Sequence, residues 1–173
     1  MMRWPPRVVR GTVLLVIVVF AVPAMGQNTS PRVNVPAGFR VTLFADDDLA
    51  SNIYSLTIDA SGRVVVAGPG YVRVLHDNDG DGRAESFTQY ADGPASGAQG
   101  MFFDGRDLLA TGDGALLRFR DRNGDDRADG KPVRLLALRA GGEHDAHAIR
   151  RGPDGWFYLL AGNNAGVTGK SAT

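Results

Sequence analysis

Gly70-Tyr-Val-Arg-Val-Leu-His-Asp-Asn-Asp-Gly-Asp-Gly-Arg-Ala-Glu85 is answered, 44 residues later, by Gly114-Ala-Leu-Leu-Arg-Phe-Arg-Asp-Arg-Asn-Gly-Asp-Asp-Arg-Ala-Asp129. Each copy is an apolar run of strand length followed by an acidic, glycine-containing loop. The offset extends backwards, because Val64-Val-Val-Ala-Gly68 precedes Leu108-Leu-Ala-Thr-Gly112 by the same interval. A half-copy, Gly152-Pro-Asp-Gly-Trp-Phe-Tyr-Leu-Leu-Ala-Gly162, echoes Asp59–Gly68. A period of 40–50 residues with about four short strands per unit is the pattern of a β-propeller blade. The expectation is an all-β chain forming part of a six-bladed propeller, about 2.5 blades, with blade-like units near 53–97 and 98–140 and a partial one at 141–173. The rival is a β-sandwich with two similar hairpins.

Around these copies the chain is a series of short apolar or alternating runs separated by Gly and Asp: Val41–Ala45, Ile53–Ile58, Val64–Ala67, Tyr71–Leu75, Ser86–Ala91, Met101–Phe103, Leu108–Thr111, Ala115–Phe119, Val133–Leu138 and Trp156–Ala161. None reaches the ten to twelve residues of a helix. Composition agrees: 17 Asp stand against 2 Glu and 17 Arg against 2 Lys, which favours turns and strands over helices.

At the N-terminus, Arg3, Arg7 and Arg10 precede the apolar run Gly11–Val22, and small residues follow up to Gly26. That is the layout of a secretory signal cut after Gly26. Twelve residues reach about 18 Å, short of the roughly 30 Å hydrocarbon core, so a retained membrane anchor is the weaker reading. Residues 27–39, polar with two Pro, read as an extended leader. The expected location is outside the cytoplasm, periplasmic or at the cell envelope, with 1–26 removed.

Removing those three arginines leaves 16 basic residues against 19 acidic ones, so no basic footprint for nucleic acid remains. The absence of Cys excludes disulfides, thiolate metal sites, a Cys nucleophile and covalent haem attachment within these residues. Oxygen and nitrogen ligands are what the chain offers. Asp77, Asp79, Asp81 and Glu85 fall at positions 1, 3, 5 and 9 of the first acidic loop, with Gly82 at position 6 and the Arg83 carbonyl at position 7. This spacing suits Ca²⁺. An EF-hand is excluded, because its twelfth position falls on Thr88 and the flanks are strands. The second copy offers Asp121, Asn123, Asp125 and Asp129 but has Asp126 in place of the glycine, so weaker binding or none is expected. The competing explanation for both loops is a tight turn made of Asp, Asn and Gly.

Of three histidines, His76 lies opposite Arg120 in the repeat. The other two sit in Gly141-Gly-Glu-His-Asp-Ala-His147, which interrupts the 44-residue register with about six extra residues between strands. A glycine-flanked insertion dense in titratable groups is a candidate functional loop. A neutral imidazole beside a carboxylate is a usual general base. A zinc half-site of the His-x-x-His kind and a solvated polar loop are the alternatives.

Glu143-His144, followed by Gly152-Pro-Asp-Gly-Trp-Phe-Tyr158, resembles the soluble quinoprotein glucose/sorbosone dehydrogenases, six-bladed propellers that use pyrroloquinoline quinone (PQQ). Within that superfamily the chain is most similar to bacterial membrane-bound dehydrogenase proteins, whose exported propeller is often followed by helical repeats and a cytochrome c-type haem domain. The resemblance spans about 36–167. It implies a sugar or polyol substrate, His144 as the base that takes the hydroxyl proton while hydride passes to the quinone, and substrate contacts from Glu143 and Gln99; His147, in the same titratable segment, is a further candidate substrate contact. Asn163-Asn164 stands where the family carries Gly-Asp. The arginines and calcium ligands that hold PQQ belong to later blades, so the 173 residues are expected to be the N-terminal piece of a longer protein, inactive as a fragment. The other function considered is a calcium-stabilised propeller that binds carbohydrate or protein without turnover.

Overall fold

The computed structural model describes residues 33–166. The signal segment 1–26 and the start of the leader lie outside the described residues. Ten strands form antiparallel sheets, and no helix occurs among the described residues. The strands are β1 (Ser55–Ile58), β2 (Val64–Gly68), β3 (Tyr71–His76), β4 (Ser86–Ala91), β5 (Gly100–Asp104), β6 (Asp107–Gly112), β7 (Ala115–Phe119), β8 (Val133–Ala137), β9 (Ala146–Arg151) and β10 (Phe157–Ala161). Two four-stranded meanders, β1-β2-β3-β4 and β5-β6-β7-β8, are followed by the hairpin β9-β10. The chain is all-β, and the sheets do not close into a ring among the described residues.

Alternation sets the packing. Side chains at successive strand positions point to opposite faces, and here one face of the first sheet meets the second. Val65, Ala67, Val72, Val74 and Tyr90 pack against Met101, Leu108, Ala110, Leu117 and Phe119, all nearly without exposure. Truncating such a residue leaves a void; Leu108→Ala carries a cost of about 2–5 kcal/mol. Across sheets, the strands that approach are β1 with β5, β5 with β9, and β6 with β9. The sheets therefore draw together at their first strands.

Val41–Ala45 forms no strand, contrary to its apolar reading. It lies instead along the outer face of the first sheet, where Phe44, Ala45 and Leu49 cover Val66 and Leu75. The Phe44 carbonyl accepts the Ala84 N–H at 2.7 Å, as the Tyr90 carbonyl of β4 accepts that of Ala128, the repeat equivalent of Ala84, at 2.7 Å. The segment around Phe44 thus occupies the place that β4 holds toward the second sheet. Packed on the face of the sheet, it gains coverage but no ladder among the described residues. In the opposite direction, β9 joins the sheets although its sequence, Ala-His-Ala-Ile-Arg-Arg, has one large apolar residue. Ile149 supplies it, at 1 % exposure.

Candidate functional site

Antiparallel order sorts the connections to two ends. At the lower end lie the turn 59–63, the acidic loops 77–85 and 120–132, and the turn 152–156; at the upper end lie the connections 92–99 and 138–145 with the tight turns before β3 and β7. The predicted metal loops and the histidine segment are therefore at opposite ends.

At the upper end Gln99 precedes β5 and donates its N–H to the Thr111 carbonyl at 3.0 Å. A Cβ at Gly100, the next residue, would overlap the carbonyl oxygen of His147 in β9. Glycine is required there because two backbones cross at van der Waals contact. This brings the main chain next to Gln99 against that of His147. Glu143 and His144 sit in the turn entering β9, both exposed, while His147 and Gln99 are half-buried. The turn is shaped by Asp145, whose carboxylate accepts the Gly142 N–H at 2.9 Å, and by the His144 carbonyl, which accepts the Asn164 N–H at 2.9 Å. The backbone at His144 is therefore fixed, whereas its imidazole makes no hydrogen bond or ion pair among the described residues. The Glu143 carboxylate likewise makes none. The His-x-x-His pair gathers no third metal ligand among the described residues.

Two features of this end were not foreseen. Asp113, at a backbone φ of 49°, accepts the N–H groups of Ala95 at 2.9 Å and Ser96 at 2.8 Å, while Ser96 Oγ accepts the Asp113 N–H. Burial would raise the Asp113 carboxyl, but the hydrogen bonds from Ser96 and Ala95, with Arg134 nearby, outweigh it and hold it below the usual carboxylate range. The signal was present: Asp113-Gly114 aligns with the turn Pro69-Gly70, and Asp tolerates a left-handed backbone better than most residues. The second feature is the Thr111 hydroxyl, fully buried without a partner among the described residues.

The described residues at this end do not fit PQQ. Three carboxylates need converging positive groups, yet Arg134 donates to the carbonyls of Asp113 and Gly114, and Arg139 to that of Asn164. Two cavities pass the histidine turn by. A groove of about 630 Å³ runs between β4 and the loop after β7, lined by Gln89, Tyr90, Asp92, Arg127 and Lys131 among others. One of about 470 Å³ lies beside β1 and β5, lined by Leu56, Ile58, Phe102 and Arg150. Neither includes Gln99, Glu143, His144 or His147.

At the lower end the first acidic loop lies between β3 and β4, a hairpin as expected. Asp77, Asp79, Asp81 and Glu85 each bring a carboxylate oxygen within 4.8 Å of the others, a group able to hold a metal ion. Oxygens at about 2.3–2.6 Å from one Ca²⁺ are separated by no more than about twice that distance, so the set fits. The same carboxylates shape the loop: Asp77 accepts from Gly80 and Gly82, Asp79 from Asp81, Asp81 from Arg83, and Glu85 from Asn78. The second loop repeats all five bonds, Asp121 accepting from Gly124 and Asp126, Asn123 from Asp125, Asp125 from Arg127, and Asp129 from Arg122. Asp121, Asp125 and Asp129 nevertheless form no comparable converging group among the described residues.

A family model described as "Domain of unknown function (DUF7133)" matches residues 26–173. No curated protein and no solved structure matches the chain.

Proposed function

The chain belongs to the DUF7133 family, and for it we propose a role as the opening blades of an exported quinoprotein-type propeller that acts on a sugar or polyol hydroxyl. The observation that carries the reading is the junction of β5 and β9. There the main chain of Gly100, next to Gln99, crosses that of His147, in the strand that the turn carrying Glu143 and His144 enters. The sheets drawing together at β1, β5 and β9 are in the order that blades take around a propeller axis. In this reading Gln99 and Glu143 orient the substrate hydroxyl, and the His144 imidazole, on a fixed backbone and open to solvent, takes its proton. His147 borders the same junction. The described residues do not fit PQQ.

We assign Ca²⁺ to the first acidic loop, through the carboxylates of Asp77, Asp79, Asp81 and Glu85. All of these ligands come from a lower-end hairpin, opposite His144, so the ion stabilises the fold and takes no part in the reaction.

A second reading, a calcium-stabilised propeller that binds carbohydrate or protein without turnover, is favoured by one observation: no described carboxylate orients the His144 imidazole. The two readings separate in the full-length protein supplied with PQQ and Ca²⁺, assayed by dye reduction over a panel of sugars. Turnover that falls about 10²-fold or more in His144→Ala, the scale of a lost general base, supports the enzyme. A holo-protein that binds a sugar but reduces no dye supports the binder.

A further inference from the structure

Why do two loops with the same five hydrogen bonds differ at position 6? In the first loop that position is Gly82, with φ of 86°; in the second it is Asp126, with φ of 62°. A left-handed backbone at a residue with a Cβ is costly and persists where its surroundings hold it. Arg63, from the β1–β2 turn of the preceding sheet, does so. Its guanidinium donates Nη1 to Asp126 Oδ2 at 2.6 Å and Nη2 to Oδ1 at 2.7 Å, a two-pronged pair. The Arg63 side chain is itself aimed by Asp59, nine-tenths buried, which accepts Nε at 2.7 Å and the Arg63 N–H at 2.9 Å. Such paired, pre-aimed geometry is the strong form of an ion pair.

Among the described residues the first loop has no counterpart. The segment that takes β4's place beside it contributes the Phe44 carbonyl and no cation, and among the described residues Asp77, Asp79, Asp81 and Glu85 form no ion pair. Four carboxylates there face one another uncompensated. In the second loop Asn123 replaces the charged Asp79, and the added carboxylate is neutralised by a protein cation.

We infer that Arg63 serves as the second loop's built-in cation: it fastens the first sheet to the second in place of a metal ion, so that the chain takes one divalent ion and not two. The stoichiometry rests on the calcium assignment made for the first loop; the fastening does not.

Calorimetric titration of the chain with Ca²⁺ is expected to give one ion per chain. Asn123→Asp combined with Asp126→Gly, which gives the second loop carboxylates at positions 1, 3, 5 and 9 and the glycine at position 6, is expected to give two. Two ions in the unaltered chain, or one in that variant, would overturn the inference. Zero ions in the unaltered chain would sink the calcium assignment while leaving the fastening to a second arm. In chelator, Arg63→Met and Asp126→Asn should each lower the melting temperature, by about 2–4 °C for a pair worth about 1 kcal/mol, and together by no more than either alone. Additive losses, or none, would overturn the fastening; Asp126→Asn answers even where Arg63→Met does not fold.

Discussion

Single residues divide here into those that hold the upper end together and those that are free to act. Gly100 is of the first kind: Gly100→Ala would force apart the backbones of β5 and β9, at a cost of about 1–3 kcal/mol. Thermal melting should show the loss. His144 is of the second kind. Being exposed and without a described partner, it can become Ala with a change within about 0.5 kcal/mol, and a matching melting curve is the check that any loss of turnover in His144→Ala is chemical. Thr111 gives the opposite sign. Its hydroxyl is buried without a partner, a state that costs about 1–3 kcal/mol, so the isosteric Thr111→Val should raise the melting temperature or leave it unchanged. A clear fall would show that the hydroxyl is in use.

At the scale of elements, the loops and turns carry the charge that makes stability depend on conditions. Asp126 is held below the usual carboxylate range by the Arg63 side chain, and Asp113 by the hydrogen bonds of the 93–97 connection outweighing its burial. A carboxyl whose folded pKa is depressed contributes stability that is complete above its unfolded value, near 3.9 for Asp, and is lost as pH falls through the folded value. Melting temperature should therefore hold from neutral pH down to about 5 and drop below about 4, with the drop shallower in Asp126→Asn. For the first loop, chelation should lower the melting temperature of the unaltered chain and leave Asp79→Asn combined with Asp81→Asn unmoved, because that variant has lost two of the four carboxylates.

Most of the strand pattern was legible in the sequence. The 44-residue echo placed β2, β3, β6 and β7 because each carries enough β-branched or large apolar residues to mark a buried strand. Where coverage depends on a distant partner, local pattern failed. Val41–Ala45 looks like a strand but packs on the face of the first sheet instead of along an edge. Ala146–Arg151 does not look like one, yet is buried by the second sheet through Ile149. The candidate site was legible as residue types and not as geometry: the backbones of Gly100 and His147 cross between sheets, and Arg63 with Asp126 matters only once two sheets are side by side.

For the whole molecule, exposed apolar surface is the main consequence of the arrangement. Leu135 and Leu136 of β8, and Trp156, Tyr158 and Leu160 on the last hairpin, are 45–71 % exposed. The first-sheet equivalents of Leu135 and Leu136, Tyr90 and Ala91, are buried against the second sheet, and Val66, the equivalent of Leu160, is covered by Phe44, Ala45 and Leu49. Patches and strand edges of this kind promote association. Sedimentation of the 173-residue chain should show concentration-dependent self-association, reduced when Tyr158 and Leu160 are replaced by Thr.

The claim beneath all of this is that successive sheets converge at their first strands and spread at their last. Because the chain has no cysteine, spin labels can be placed in pairs without background, one pair at Leu56 and Phe102 on β1 and β5, another at Phe87 and Leu135 on β4 and β8. Pulsed dipolar spectroscopy is expected to give a distance for the β1–β5 pair well short of that for the β4–β8 pair. Equal distances, as in two sheets stacked flat on one another, would contradict the account.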